Sequence, residues 1–294
     1  EWAEKQGKPD LWKEYWCDPD TSLVQFIGKD NIPFHAVIFP AMTMGQNQDY
    51  KIVDELPANE FYNLEGKKFS KSEGWYVDLE DFFTKYTPDQ IRYTIASNAP
   101  ETSDSEFCWK AFQMHCNAEL LGKYGNFANR TLVFAKKNCS SAVPKTHTLT
   151  TIDEEFLAGI KNLADKAANH YETFSIRKAS QTIMELAQLG NVYFDTKKPW
   201  VSAKEGDTQS LETAIACCIE CLKTLAIISS PIIPTAAQKL WELLGYTTPL
   251  AEQNWNSAIS TTAPPKQQLP QPSILFNRIE DEQIDAELSN LVSS

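Results

Sequence analysis

The sequence predicts a mainly α chain, in which a short α/β region precedes an antiparallel helix bundle. Three observations predict it. A β-branched and aromatic run, Thr21-Ser22-Leu23-Val24-Gln25-Phe26-Ile27, is followed by a helical stretch and a loosely alternating segment over 51–64, the strand–helix–strand unit of a parallel sheet. From about 106 to 245 apolar residues recur at helical spacing. The connections between those helices are short, which makes neighbours antiparallel.

Composition bounds the function. The 294 residues are 42% hydrophobic, enough for real cores and for about two domains. Lys and Arg number 27 against 39 Asp and Glu, a net charge of −12, so bulk charge announces no nucleic-acid binder and any RNA contact must be local. There is no apolar run of membrane-spanning length and no basic-then-apolar leader; a cytoplasmic protein is expected. The chain opens on Glu1 in what reads as mid-domain sequence, as a fragment of a longer protein would. Seven scattered cysteines form no disulfide framework and fit a reducing compartment. Cys218 and Cys221 have CxxC spacing but lie in a helical pattern with no second pair, so they read as small buried residues and no metal site is expected.

In order, residues 1–20 read as a helix and a turn, and the strand 21–27 ends in Gly28-Lys29-Asp30. Asn31-Ile32-Pro33 opens a helix with Phe34, Val37, Ile38 and Met42 apolar, which Pro40 must bend or shorten. In open α/β sheets ligands bind beyond the carboxyl ends of strands. There Gly28 permits close backbone approach and Asp30 is placed to accept from ribose hydroxyls, or serves as a helix N-terminal acid. His35 beside Phe34 reads on its own as a packed residue. Thr87-Pro88-Asp89-Gln90 is a capping box with Pro at the first helical position, and 100–106 is a polar hinge. Beyond it come a helix over about 106–137, one capped by a box at Thr151-Ile152-Asp153-Glu154, a third capped by Ser175, a fourth with the stripe Leu211, Ala214, Ile215, Cys218, Leu222 and Leu225, and a fifth running to Gly245. Residues 247–272 read as linker, and 274–294 as a segment that docks back.

Between Gly66 and Gly74 stand Lys67, Lys68, Phe69, Ser70, Lys71, Ser72 and Glu73. Mobile ammonium groups and hydroxyls on one loop suit transient gripping of a polyphosphate, since cations placed where charge builds up lower a transition state. Asn126 and Arg130 are four apart and share a helix face, an amide and a guanidinium suited to base edges and phosphates. Pro199-Trp200 is placed in a loop at a helix end, where an exposed indole offers a stacking platform for an unpaired base. Core packing for Trp200 and a surface ion pair for Arg130 are the commoner fates of such residues.

Together these residues resemble the methionyl-tRNA synthetase family. Lys68-Phe69-Ser70-Lys71-Ser72 is similar to the class I signature Lys-Met-Ser-Lys-Ser, with Phe69 for Met. Phe26-Ile27-Gly28-Lys29-Asp30-Asn31-Ile32-Pro33-Phe34-His35 resembles the family's nucleotide and methionine pocket segment in its archaeal and eukaryotic-type form. Thr102-Ser103-Asp104-Ser105-Glu106-Phe107 and Gly125-Asn126-Phe127-Ala128-Asn129-Arg130 are similar to that branch too. The resemblance implies the end of a Rossmann-like catalytic domain over 1–65, a connecting (stem-contact) fold with the lysine loop over 66–105, an anticodon-binding bundle over 106–250, and a linker with a docking C-terminal segment over 251–294.

It also implies roles. The parent enzyme joins methionine to ATP, with Mg, and transfers the amino acid to tRNA(Met). Lys71 would stabilise the leaving pyrophosphate and Lys68 position the loop, with Phe69, Ser70 and Ser72 beside the adenylate. Gly28 and Asp30 would hold the ribose, and His35 would line the methionine pocket. Asn126 and Arg130 would read the CAU anticodon, with Trp200, set by Pro199, stacked on its first base. The His-Ile-Gly-His signature and the zinc-bearing insertion are absent from this stretch, so it is expected neither to form adenylate alone nor to bind zinc, nor to meet a membrane. The rivals are another class I synthetase, which would lack the Asn126, Arg130 and Trp200 combination, and a non-catalytic RNA-binding or scaffold protein of the same fold.

Overall fold

The computed structural model describes residues 1–260 and 262–293, and they are mainly helical. The chain divides into two compact units, one of residues 1–63 and 99–106, the other of 64–98 and 107–294. Among the described residues no helix is long and apolar enough to cross a membrane.

In the first unit α1 (Trp2–Lys5) and α2 (Lys13–Trp16) are single turns joined by aromatic contact, Trp2 meeting Tyr15 edge-on at 5.6 Å between centroids. β1 (Ile27–Gly28) pairs in parallel with β2 (Ala58–Asn59), Ile27 opposite Ala58 and Gly28 opposite Asn59. The strand is far shorter than the run 21–27 suggests. Among its earlier residues Val24 makes one parallel bridge to Glu55 in the same register, through the Gln25 N–H on the Glu55 carbonyl at 3.1 Å, while the Leu23 N–H donates to the Asp54 carboxylate at 2.8 Å.

The crossover between β1 and β2 is a 3-10 turn at Lys29–Asn31, a π turn at Phe34–Ile38, and α3 (Phe39–Met44). Pro40 follows directly on the widened turn, which accommodates its missing N–H donor without breaking the rod. The apolar residues of this stretch are exposed, Phe34 by 56% and Val37 by 64%. A sheet of two strands is too narrow to cover them.

In the second unit Leu64 and Lys67 pair around Glu65 and Gly66, whose φ values of 46° and 78° are those of a type I′ hairpin turn. α4 (Leu79–Lys85) is capped by the Asp78 carboxylate, and α5 (Pro88–Ser97) by the capping box of Thr87 and Gln90, with Pro88 opening the helix. β3 (Tyr62–Leu64) pairs with β4 (Ser105–Phe107), the two places where the chain passes from the first unit into the second.

The helix expected over 106–137 is one unbroken rod, from α6 (Trp109–Met114) through a π segment at His115–Gly125 to α7 (Asn126–Asn138). α8 (Thr151–Glu172) starts one residue earlier than its expected box. Thr150 is the N-cap, and Asp153 is the N3 residue that bonds back to it. Ser175 precedes α9 (Ile176–Lys197) without a side-chain capping bond. Pro199 and Trp200 are not in a loop. They open α10 (Pro199–Glu205), because Pro at the first helical position starts a helix as readily as it ends one.

α11 (Thr208–Ser229) runs through the core, with every residue of its expected stripe buried. α12 (Pro234–Leu243) ends at Gly245, where φ is +88°. The stretch read as linker carries a 3-10 turn at Leu250–Glu252 and α13 (Trp255–Ser260). α14 (Asp281–Ser293) is reached through buried Phe276 and Ile279, and the Asn117 amide bonds to both the N–H and the carbonyl of Ile279.

Candidate functional site

In the first unit Gly28 ends β1 and Asp30 lies in the 3-10 turn that follows, exposed to solvent. A Cβ at Gly28 would stand 2.9 Å from the Asp30 carboxylate, so the missing side chain is what lets Asp30 fold back over the strand end. His35 lies in the π turn, half-buried, with Nδ1 at 2.8 Å from the Gln25 amide oxygen. That bond puts a proton on Nδ1 and leaves Nε2 able to accept when the ring is neutral.

Lys29, between Gly28 and Asp30, is a residue the sequence reading passes over. Its ammonium is bonded to Glu60 and, at 3.0 Å, to Asp104, and it lies 4.3 Å from the Phe61 ring centroid. Asp104 also accepts from the Phe61 N–H at 3.1 Å. Lys29 is held protonated above the usual lysine range by Glu60 and then Asp104, while Lys29 and then the Phe61 N–H hold Asp104 below the carboxylate range. The ammonium is a tie across the end of the sheet rather than a phosphate ligand.

In the second unit the lysine loop is a pair of linked hairpins. Ser70 and Trp75 exchange two backbone hydrogen bonds of 2.9 Å, enclosing Lys71-Ser72-Glu73-Gly74, and Gly74 takes a φ of +68°. Lys67 packs its ammonium 4.5 Å from the Trp75 centroid, and the Trp75 indole N–H donates to the Leu64 carbonyl at 2.8 Å. These contacts fix the base of the loop. Lys68, Phe69, Lys71 and Ser72 are exposed, and the Ser70 and Ser72 hydroxyls lie 3.2 Å apart.

The helices of the second unit bring Asn126, Arg130 and Trp200 into one cluster. A Cβ at Gly190 would fall 2.3 Å from the Phe127 ring, so only glycine lets α7 approach α9 this closely. That approach places the Asn126 amide against Asn191, donating at 3.0 Å, and Asn191 in turn donates to the carbonyls of Lys123 and Ala187. One turn on, Arg130 pairs with Asp195 and lays its guanidinium 4.6 Å over the Phe194 ring. Trp200 flanks the same ring, with centroids 5.9 Å apart, and is 43% exposed.

The indole is partly open to solvent and partly seated on Phe194, while Pro199 beside it is buried. Lys198 makes the corner between α9 and α10 in the left-handed region, φ 45° and ψ 57°. Asn191, Phe194 and Asp195 are the cluster members missed in the sequence. Asn191 and Asp195 carry the same four-residue spacing that singles out Asn126 and Arg130.

The Lys68-Phe69-Ser70-Lys71-Ser72 loop, with both lysines exposed, is similar to the signature of the class I aminoacyl-tRNA synthetases. The family model of tRNA synthetases class I (M) matches residues 1–132, and that of the anticodon binding domain of methionyl tRNA ligase matches 143–291. The chain belongs to the methionyl-tRNA synthetase family. It is 61% identical to the methionine–tRNA ligase of Protochlamydia amoebophila over 99% of this chain and 42% of that one. To the enzyme of Chlamydia pneumoniae it is 45% identical, over 95% of this chain and 52% of the relative. The chain thus spans about half the length of these curated relatives. The Mycobacterium tuberculosis methionyl-tRNA synthetase in complex with methionyl-adenylate superposes with a TM-score of 0.80 at 28% identity, over 88% of this chain and 50% of that one.

Proposed function

We propose that this chain is the part of a methionine–tRNA ligase that carries the lysine loop and the anticodon reader. In this reading the parent enzyme activates methionine with ATP and Mg to the adenylate and transfers it to tRNA(Met) in the cytoplasm. Residues 1–65 are then the end of a Rossmann-like domain, and the helices beyond 106 an antiparallel anticodon-binding bundle. The observation that carries the reading is the cluster around Phe194, where Arg130 and Trp200 meet one ring and Asn126 lies a turn away.

Each role follows from chemistry at a named atom. Trp200, seated on Phe194, presents an indole face for an unpaired base, worth on the order of 1–3 kcal/mol. The guanidinium of Arg130 and the amide of Asn126 offer donors to the edges of the next bases. Lys71, exposed at the tip of its hairpin, neutralises charge on the leaving pyrophosphate, and Lys68 holds the loop against the nucleotide. Phe69 is an apolar anchor in place of Met, and Ser70 and Ser72 donate to the phosphates. Asp30 accepts from the ribose hydroxyls where Gly28 leaves room, and His35 faces the thioether with its orientation set by Gln25. The exposed apolar face of Phe34 and Val37 is covered by the rest of the parent enzyme, and this chain alone makes no adenylate.

The test is tRNA charging by the full-length enzyme with CAU and CAC anticodons. A Trp200→Ala enzyme is expected to lose about 1–3 kcal/mol of tRNA binding, read as a KM raised about tenfold or more for the CAU substrate. An unchanged KM would remove the anticodon role from this cluster.

A further inference from the structure

We infer that Asp153 and Lys197 form a buried clamp that positions the anticodon reader from behind, without touching the RNA. The inference rests on the proposed role of Trp200 and Arg130.

Asp153 is at the third position of α8, with its side chain 1% exposed. One carboxylate oxygen accepts from the Tyr193 hydroxyl at 2.6 Å and from the Lys197 ammonium at 2.8 Å. The other accepts from the Thr150 N–H at 2.8 Å, the Thr150 hydroxyl at 2.7 Å and Lys197 again at 3.1 Å. The Tyr193 ring stacks on Phe156 at 3.8 Å, nearly parallel. A helix cap needs only the two bonds from Thr150. The others reach across to α9 and grip it at two residues four apart, hence on one face.

What lies between those grips matters. Phe194 and Asp195 sit inside the interval, and they are the residues on which Trp200 and Arg130 rest. Lys197 is the last residue of α9, and the left-handed corner at Lys198 follows at once. That corner is pinned by the Lys198 N–H on the Phe194 carbonyl at 3.1 Å and by the Val201 N–H on the Lys198 carbonyl at 2.7 Å. The rotation of the last turn of α9 therefore sets where the corner falls and where the indole points.

Apolar residues of similar volume would join α8 to α9 about as firmly as this carboxylate–ammonium pair, whose attraction desolvation partly cancels. What an ion pair adds is a fixed geometry at both of its ends. The end of α9 is where geometry is needed.

The experiment uses the full-length synthetase with Asp153→Asn and Lys197→Met made separately. Both variants are expected to raise the KM for tRNA bearing CAU about tenfold, while kcat for charging and the rate of ATP–pyrophosphate exchange stay within about twofold of the parent. Exchange needs no tRNA, so it reports on the adenylate-forming part, and an unfolding transition matching the parent's reports that α8 and α9 are intact; a lowered transition overturns the clamp in favour of a merely structural role. An unchanged tRNA KM in both variants, or exchange falling in step with charging, overturns the clamp. Trp200→Ala measured alongside separates the two levels. If it raises the tRNA KM and the clamp variants do not, the clamp alone fails. If it does not, the reading of the cluster fails first.

Discussion

Lys71 stands at the first position of a four-residue hairpin tip, exposed, with the base of that hairpin held by Ser70 and Trp75. Its replacement by Ala is expected to slow adenylate formation in the full-length enzyme by about 100-fold or more with little change in methionine affinity, since the charge it meets develops in the transition state. Pre-steady-state pyrophosphate release measures it. Asp153 gives a pH signature. Burial raises its pKa, but Lys197, Tyr193 and Thr150 more than offset that and bring it from 3.8 to about 2. A depressed carboxyl stabilises the fold above its unfolded pKa and ceases to do so as pH falls through its folded value. About 2 kcal/mol should therefore drain away between pH ~4 and ~2, and Asp153→Asn should flatten that slope in acid titrations of stability. That Asn126 and Arg130 share a face was legible because their four-residue spacing fixes it. Asp153 was legible only as a cap, because its bonds to Tyr193 and Lys197 join elements distant in sequence, and no local pattern encodes them.

At the scale of the element, most helices of the second unit are written in the sequence. The stripe from Leu211 to Leu225 is buried throughout, and the box of Thr87 and Gln90 closes as its spacing implies. Where expectation and structure part, a rival local rule wins. The box at the head of α8 sits at Thr150 rather than Thr151, since either threonine satisfies the pattern and only the bond to Asp153 selects one. Thr150→Ala is expected to lower stability by about 1 kcal/mol, measured by denaturant unfolding, whereas Thr151→Ala should lie within about 0.5 kcal/mol of the parent. Pro199 was read as a break and is a start. Of the strand run 21–27 only Ile27 lies in β1 and Val24 makes one further parallel bridge to Glu55, because the Leu23 N–H goes to the Asp54 carboxylate.

For the whole molecule, the sequence conveys the order of regions better than their packing. A parallel strand–helix–strand unit, a lysine hairpin and a long helical region are all present in that order. The exposure of Phe34 and Val37 could not be read from periodicity, which shows that one face is apolar and not what covers it. The polar hinge 100–106 lies wholly in the first unit, whose segment Ala99–Glu106 is held through Asp104 and Lys29. Lys29→Met is expected to raise the ATP KM several-fold with kcat nearly unchanged, because it leaves Glu60 and Asp104 without a cation and frees the turn that carries Asp30.

The most direct measurement is binding of this chain to an RNA hairpin with a CAU loop against one with a CAC loop, at two salt concentrations, with and without Trp200→Ala. The expected result is tighter binding to CAU by about tenfold, abolished by the substitution, with the preference kept as salt rises. Equal binding to both hairpins that weakens alike with salt would reduce the cluster to a generic electrostatic contact and contradict its role as an anticodon reader.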